Sequence, residues 1–124
     1  MATKADYQIS SLVNDGILEI RLSGEFRRGS LEEIKSEIVH IEKSVDTKRE
    51  LIDVQRVKGY PSITEIYTFA RSLPSDRHRM KTAIVDAGVN DDLKSFLEDT
   101  TFNVGQSFKC FTDIDAARAW LKEK

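Results

Sequence analysis

Residues Leu51–Leu73 read LIDVQRVKGYPSITEIYTFARSL, and this stretch decides how the rest of the chain is organised. Leu51, Ile52 and Val54 form a short apolar run suited to a buried strand, and Gly59 and Pro61 interrupt it. Ser62 followed by Glu65 has the spacing of a capping box and opens a helix. Ile63, Ile66, Tyr67, Ala70 and Leu73 give that helix an apolar stripe, and Pro74 stops it. A strand, a loop and a helix N-terminus in that order set backbone N–H groups and the positive end of a helix dipole beside a strand's carboxyl end. Such a place suits an anion, a phosphorylated side chain or a partner's carboxylate.

Upstream, Tyr7, Ile9, Ser11 and Val13 alternate with polar residues, Asn14-Asp15-Gly16 supplies a turn, and Leu18, Ile20 and Leu22 alternate again. This is the pattern of an antiparallel hairpin closed by Gly24. Ser30 with Glu33 has the spacing of a second capping box, for a helix carrying Leu31, Ile34, Ile38, Ile41 and Val45 on one face, with His40 off that face and solvated. Downstream, Thr82–Val85 reads as a strand, Asp86-Ala87-Gly88 as a turn, and Asn90 as the cap of a helix with Leu93, Phe96 and Leu97 inward. A strand at Phe108–Phe111 leads through Asp113 to a closing helix with Ile114, Ala117, Trp120 and Leu121. The order is ββαβαβαβα: an α/β fold of about five strands and four helices. Strands separated by helices need crossovers, so the sheet is expected to be mostly parallel, with an antiparallel first strand.

The 124 residues make one domain, 1–124, with neither linker nor internal repeat. Hydrophobic residues are 40% and charged residues 32%, the balance of an ordinary globular chain, and apolar runs are only a few residues long, so no stable membrane insertion is expected. The net charge is −2, which supplies no field to draw the chain onto nucleic acid. The opening MATKADYQIS lacks the apolar core of a signal peptide and Cys110 is the single cysteine, so a cytoplasmic protein without an intrachain disulfide is expected.

The hairpin exit Gly24-Glu25-Phe26 with Gly29-Ser30-Leu31, the strand–loop–helix at Leu51–Leu73 and the ending CFTDIDAARAWLKEK together resemble the SpoIIAA-like branch of STAS domains. The sharpest element is Phe111, Thr112, Asp113, Asp115, Ala117, Trp120 and Leu121, a cap, a helix and an aromatic anchor. The resemblance covers nearly the whole chain. It implies the fold of anti-sigma-factor antagonists, a fold also likened to CRAL-TRIO lipid-binding domains. It further implies a noncatalytic regulatory module that binds a protein partner and is tuned by phosphorylation at a helix start. When Asp53 is set on the family's strand-end aspartate, Pro61-Ser62-Ile63-Thr64 falls over the phosphorylation signature. Ser62 matches the first hydroxyl position, Ile63 stands at the phosphoacceptor, and the signature's Asp and Gly are missing. Ser62 and Thr64 are the candidate phosphosites, against an N-cap role that accounts for Ser62 by itself.

The candidate binding face is Arg56, Lys58, Tyr60, Ser62 and Thr64, with Glu25, Arg27, Arg28, Asp86 and Asn90 on neighbouring carboxyl ends. Arg56 and Lys58 would attract an anion or acidic partner, the helix start would add N–H donors, and Tyr60 an apolar contact. Arg71, Arg77, His78, Arg79 and Lys81 form a second basic cluster at the amino ends of the sheet, where a solvated turn is expected in place of a phosphate site. Two histidines, no Ser-His-Asp order, no metal-ligand spacing and no glycine-rich phosphate loop leave no catalytic residue, metal site or cofactor to name. Asp53 and Asp86 are expected to bond turns, and Cys110 to be a small, buried, unreactive side chain. A carrier of a small anionic or lipid ligand, using a pocket between helix and sheet, is the alternative function, and an unrecognised enzyme the second. The exposed strand edges are compatible with a homodimer.

Overall fold

The computed structural model describes residues 7–27, 29–74, 80–88 and 91–123. The strands are β1 (Tyr7–Asn14), β2 (Ile17–Glu25), β3 (Arg49–Lys58), β4 (Lys81–Val85) and β5 (Ser107–Phe111). The helices are α1 (Ser30–Lys43), α2 (Ile63–Ser72), α3 (Asp91–Asn103) and α4 (Ile114–Lys122). They follow the expected ββαβαβαβα order in one five-stranded sheet, β1-β2-β3-β4-β5. β1 runs antiparallel to β2 and the other pairs are parallel. The hairpin turn uses Asp15 at φ 56° and Gly16 at φ 77°, the left-handed pair that matches the twist of the flanking strands.

Alternation along the strands divides the core into two layers. Leu18, Ile20 and Leu22 of β2 and Ile52 of β3 pack with Tyr7 against Ile34 and Ile38 of α1. The opposite face presents Ile17, Leu51, Ala83 and Val85 to Ala117 and Leu121 of α4. α1, α2 and α3 contact one another in sequence, so three helices share one face and α4 covers part of the other. Each fully buried Ile or Leu of these layers contributes about 1.5–3 kcal/mol relative to exposure.

Several local expectations are corrected. β3 continues past Val54 to Lys58, and Gly24 lies within β2 with Glu25 after it. The Ser30–Glu33 capping box does not form: Gly29, at φ +86°, is the α1 N-cap, and buried Ser30 turns its Oγ back to accept the Arg27 N–H at 3.0 Å. On α2, Ile66 and Ala70 are buried, whereas Ile63 and Tyr67 face outward. On α3, Leu93, Phe96 and Leu97 are only half-buried, and the buried positions are Thr100 and Thr101, whose hydroxyls donate to the Phe96 and Leu97 carbonyls. His40 is exposed as expected. Arg28, Arg77, His78, Arg79 and Asn90 lie outside the described residues.

Candidate functional site

The carboxyl ends of β2 and β3 are tied together before α2 begins. The Phe26 N–H donates to the Lys58 carbonyl at 2.7 Å, and Gly59 follows at φ +92° with its Cα hydrogen toward Phe26. A Cβ at position 59 would stand 3.3 Å from the Phe26 carbonyl oxygen, so both conformation and space demand glycine here.

A β-bulge just upstream determines where the strand's charges go. Arg21 pairs with Asp53 but Ser23 pairs with Arg56, so two residues of β3 stand opposite one of β2. Asp53 stabilises the irregularity, its Oδ1 accepting the Gln55 N–H at 3.0 Å while its Oδ2 lies 3.7 Å from the Arg21 guanidinium. The extra residue inverts the alternation. Ile52 and Val54 face the α1 layer before the bulge and Val57 faces it after, which turns Arg56 and Lys58 to the α4-bearing face. There Arg56 stands beside Ser23, and Lys58 beside Glu25.

The Ser62–Glu65 capping box is complete. The Glu65 N–H donates to Ser62 Oγ at 3.1 Å, and Glu65 Oε1 accepts the Ser62 N–H at 2.9 Å. The second Glu65 oxygen reaches the N–H of Gly29, the α1 N-cap, at 3.4 Å. One carboxylate therefore serves the starts of two helices. The α2 N-terminus, expected to be open to an outside anion, is supplied with a negative group by the chain itself. The Glu65–Gly29 contact spans 36 residues, and no local signal announces it.

Around this start the surface is apolar. Tyr60 is 51% exposed, Ile63 59% and Tyr67 50%. Residues 63 and 67 are neighbours on a helix, and the Arg71 guanidinium lies 5.5 Å from the centre of the Tyr67 ring, extending the row by another turn. Ser62 and Thr64 are exposed beside it. The five sequence-selected residues thus lie around one corner of the molecule but not on one plane: Arg56 and Lys58 on the α4-bearing side of the sheet, Tyr60, Ser62 and Thr64 at the head of α2.

Two charged groups singled out by the sequence, Lys81 and Asp86, are engaged within the fold. Lys81, from the second basic cluster, donates to the carbonyls of Trp120 at 2.7 Å and Glu123 at 3.3 Å, and its ammonium lies 4.4 Å from the Trp120 ring centre, closing the end of α4. Asp86 Oδ1 accepts the Gly88 N–H at 2.7 Å, the turn role expected of it. The Cys110 thiol is pushed up to about 12, first by burial and then by the negative charges of Glu98 and Asp86, which leaves it without nucleophilic character near neutrality. Between α1, α2 and the sheet, a cavity of about 10 Å³ lined by Ile38, Val39, Glu50, Ile52, Phe69 and Phe108 has room for one water. Among the described residues no three His, Cys, Asp or Glu side chains gather as a metal cage, and no helix is long and apolar enough to cross a membrane.

A mixed sheet with one antiparallel edge strand, three helices on one face and a final helix on the other defines the SpoIIAA-like STAS fold. No family model and no curated protein matches the chain. Solved structures do match in three dimensions. An anti-sigma factor antagonist from Mycobacterium paratuberculosis superposes with a TM-score of 0.68 at 14% identity, over 99% of this chain and 100% of that one. An uncharacterised Shewanella loihica protein with a SpoIIAA-like fold gives 0.58 at 16% identity, over 93% of each chain. The unphosphorylated anti-sigma factor antagonist SpoIIAA gives 0.54 at 16% identity, over 92% of this chain and 95% of that one. At these identities the likeness is one of fold.

Proposed function

We propose that this chain is a noncatalytic regulatory module that binds a protein partner at the head of α2, through Tyr60, Ile63 and Tyr67, with Arg56, Lys58, Ser62 and Thr64 around them. The observation that carries this reading is the row of three large apolar side chains, each half exposed, at a corner stiffened by the Phe26–Gly59 approach and the Glu65 bridge. A rigid apolar centre with a charged surround is the anatomy of a binding surface. The fold neighbours that are anti-sigma factor antagonists lend the reading support of the associational kind. For the carrier alternative, the 10 Å³ cavity would need α1 and α2 to separate from the sheet, and the larger cleft of about 430 Å³ between the hairpin and α4 is lined mostly by polar and charged groups, Asn14, Asp15, Glu19, Arg118 and Lys122.

Phosphorylation of Ser62 would act through Glu65. A phosphoryl group carries about −1.5 to −2 charge, and placed on Ser62 Oγ it would repel the carboxylate that holds Ser62 and Gly29. The modification would then loosen the β2–α1 connection as well as the α2 start.

A photocrosslinking residue placed at Ile63, and separately at exposed His40 as a control, tests the surface in cells that express the chain. A discrete protein adduct is expected at position 63, weakened at least tenfold by Tyr67→Ala and by Lys58→Glu, and absent at position 40. Equal adducts at both positions, or an adduct at 63 indifferent to both substitutions, would reject this face.

A further inference from the structure

We infer that β1 is a self-association edge, and that two copies of this chain join by antiparallel pairing of their β1 strands into a continuous ten-stranded sheet. β1 is the outer strand, and among the described residues its backbone hydrogen bonds go to β2 alone. Its eight residues, YQISSLVN, contain no charge and no proline, and the register with β2 runs unbroken from Tyr7 to Asn14. Charge, proline and bulges are the devices by which edge strands resist pairing, and this strand has none of them. Leu12 is 58% exposed and Val13 55%, on opposite faces of the sheet, so the strand also carries apolar surface that its own fold leaves uncovered.

The geometry of the hairpin selects the pairing. Across a two-residue turn the flanking pair, Asn14 and Ile17, is hydrogen-bonded, so Leu12, Ser10 and Gln8 bond inward and Val13, Ser11, Ile9 and Tyr7 turn their N–H and C=O groups to the free edge. A two-fold axis normal to the sheet keeps like faces together, so each residue meets one of the same parity. Centred on Ser11, it pairs Val13 of one chain with Ile9 of the other, twice, and Leu12 with Ser10. The Val13–Ile9 pairs extend the apolar layer that Tyr7 and Ile9 begin over α1. From Gln8 to Asn14 every mate is neutral, so these pairs meet no like-charge repulsion. A foreign strand finds no charge to select it, whereas the two-fold uses each apolar contact twice; a second copy is therefore the occupant that fits.

This contact is separate from the α2 surface, and a dimer built on it would carry two such surfaces. Sedimentation velocity on the full chain over a wide concentration range is the test, supported by Val13→Lys and Ser11→Cys variants. The wild-type mass is expected to rise from 14.1 kDa toward twice that value. Val13→Lys, at an exposed position with an unchanged circular dichroism spectrum, should weaken association at least tenfold. Ser11→Cys should form an intermolecular disulfide under mild oxidation, because opposed residues of a bonded pair lie about 5.5 Å apart at Cα, within disulfide reach. His40→Cys is the control and should not link. A monomer at every concentration overturns the inference. So does a dimer that is insensitive to Val13→Lys and leaves Ser11→Cys unlinked, since it would have formed through another surface.

Discussion

The two edges of the sheet are treated in opposite ways. β5 is five residues long, carries Lys109, and lies under α3, whose Glu98 carboxylate accepts the Cys110 N–H at 2.7 Å. β1 is eight residues long and uncharged, and its outward backbone groups receive nothing from the described part of the chain. Connectivity explains the contrast. A parallel strand must be reached by a crossover, and the crossover brings a helix that lies against the sheet and can cover its margin. A hairpin strand is reached by a two-residue turn, which brings no cover. The protected edge is therefore the one built last, and the open edge is the one that local sequence alone could form.

The largest expected effect that would sharpen this contrast concerns Cys110. With its thiol pushed up to about 12, the thiolate fraction near pH 8 falls roughly a thousandfold below that of a free cysteine of pKa about 8.5. Alkylation by iodoacetamide in the native protein should be slower than in urea by about that factor. A native rate close to the unfolded one would mean that α3 does not seal the β5 edge.

Removal of the Glu98 carboxylate should have an intermediate effect. Glu98→Ala leaves the Cys110 N–H without its acceptor and is expected to cost about 1–3 kcal/mol in urea denaturation, the range for a buried donor left unsatisfied. Glu98→Gln keeps an acceptor and should lose less. If the two variants are equally stable, the edge is covered by packing and the hydrogen bond is incidental.

The smallest effect belongs to the open edge. At the hairpin tip the Lys122 ammonium, by hydrogen bond and then by charge, holds the Asp15 carboxyl below the usual carboxylate range. A depressed folded value stabilises the protein at pH above the unfolded carboxylate pKa of about 3.9, and that stabilisation disappears as pH falls through the folded value. Asp15→Asn keeps a residue that tolerates the left-handed turn and should lower the melting temperature slightly near neutrality, with the difference from wild type vanishing in acid. A difference that persists in acid would show the loss to be one of turn conformation.

The order of elements was legible throughout, because each was announced by a short-range signal. Alternation and the Asn14-Asp15-Gly16 turn marked the hairpin, the Ser62–Glu65 spacing marked α2, and Asp113 marked α4, where its Oδ1 accepts the Asp115 N–H at 2.9 Å. The same kind of signal misled at Ser30, where the helix begins one residue earlier than a Ser30 cap requires because Gly29 takes the cap position in the left-handed conformation. It misled again on α2. Ile63 and Tyr67 fit an apolar stripe as well as Ile66 and Ala70 do, and only the position of the sheet, with Phe108 meeting Phe69 edge to face, selects between the two faces.

Sequence by itself settled what depends on neighbours a few residues apart: the alternation of strands and helices, the complete capping box at Ser62, and the absence of charge from Tyr7 to Asn14. Tertiary structure alone decided what depends on residues tens of positions apart. The bulge that sends Arg56 and Lys58 to the α4 side, the Glu65 carboxylate shared by two helix starts, and the cover that β5 has and β1 lacks all belong to this class. In each case the deciding partner sits on another strand or helix, and its approach is set by the packing of the whole sheet, which no local periodicity encodes.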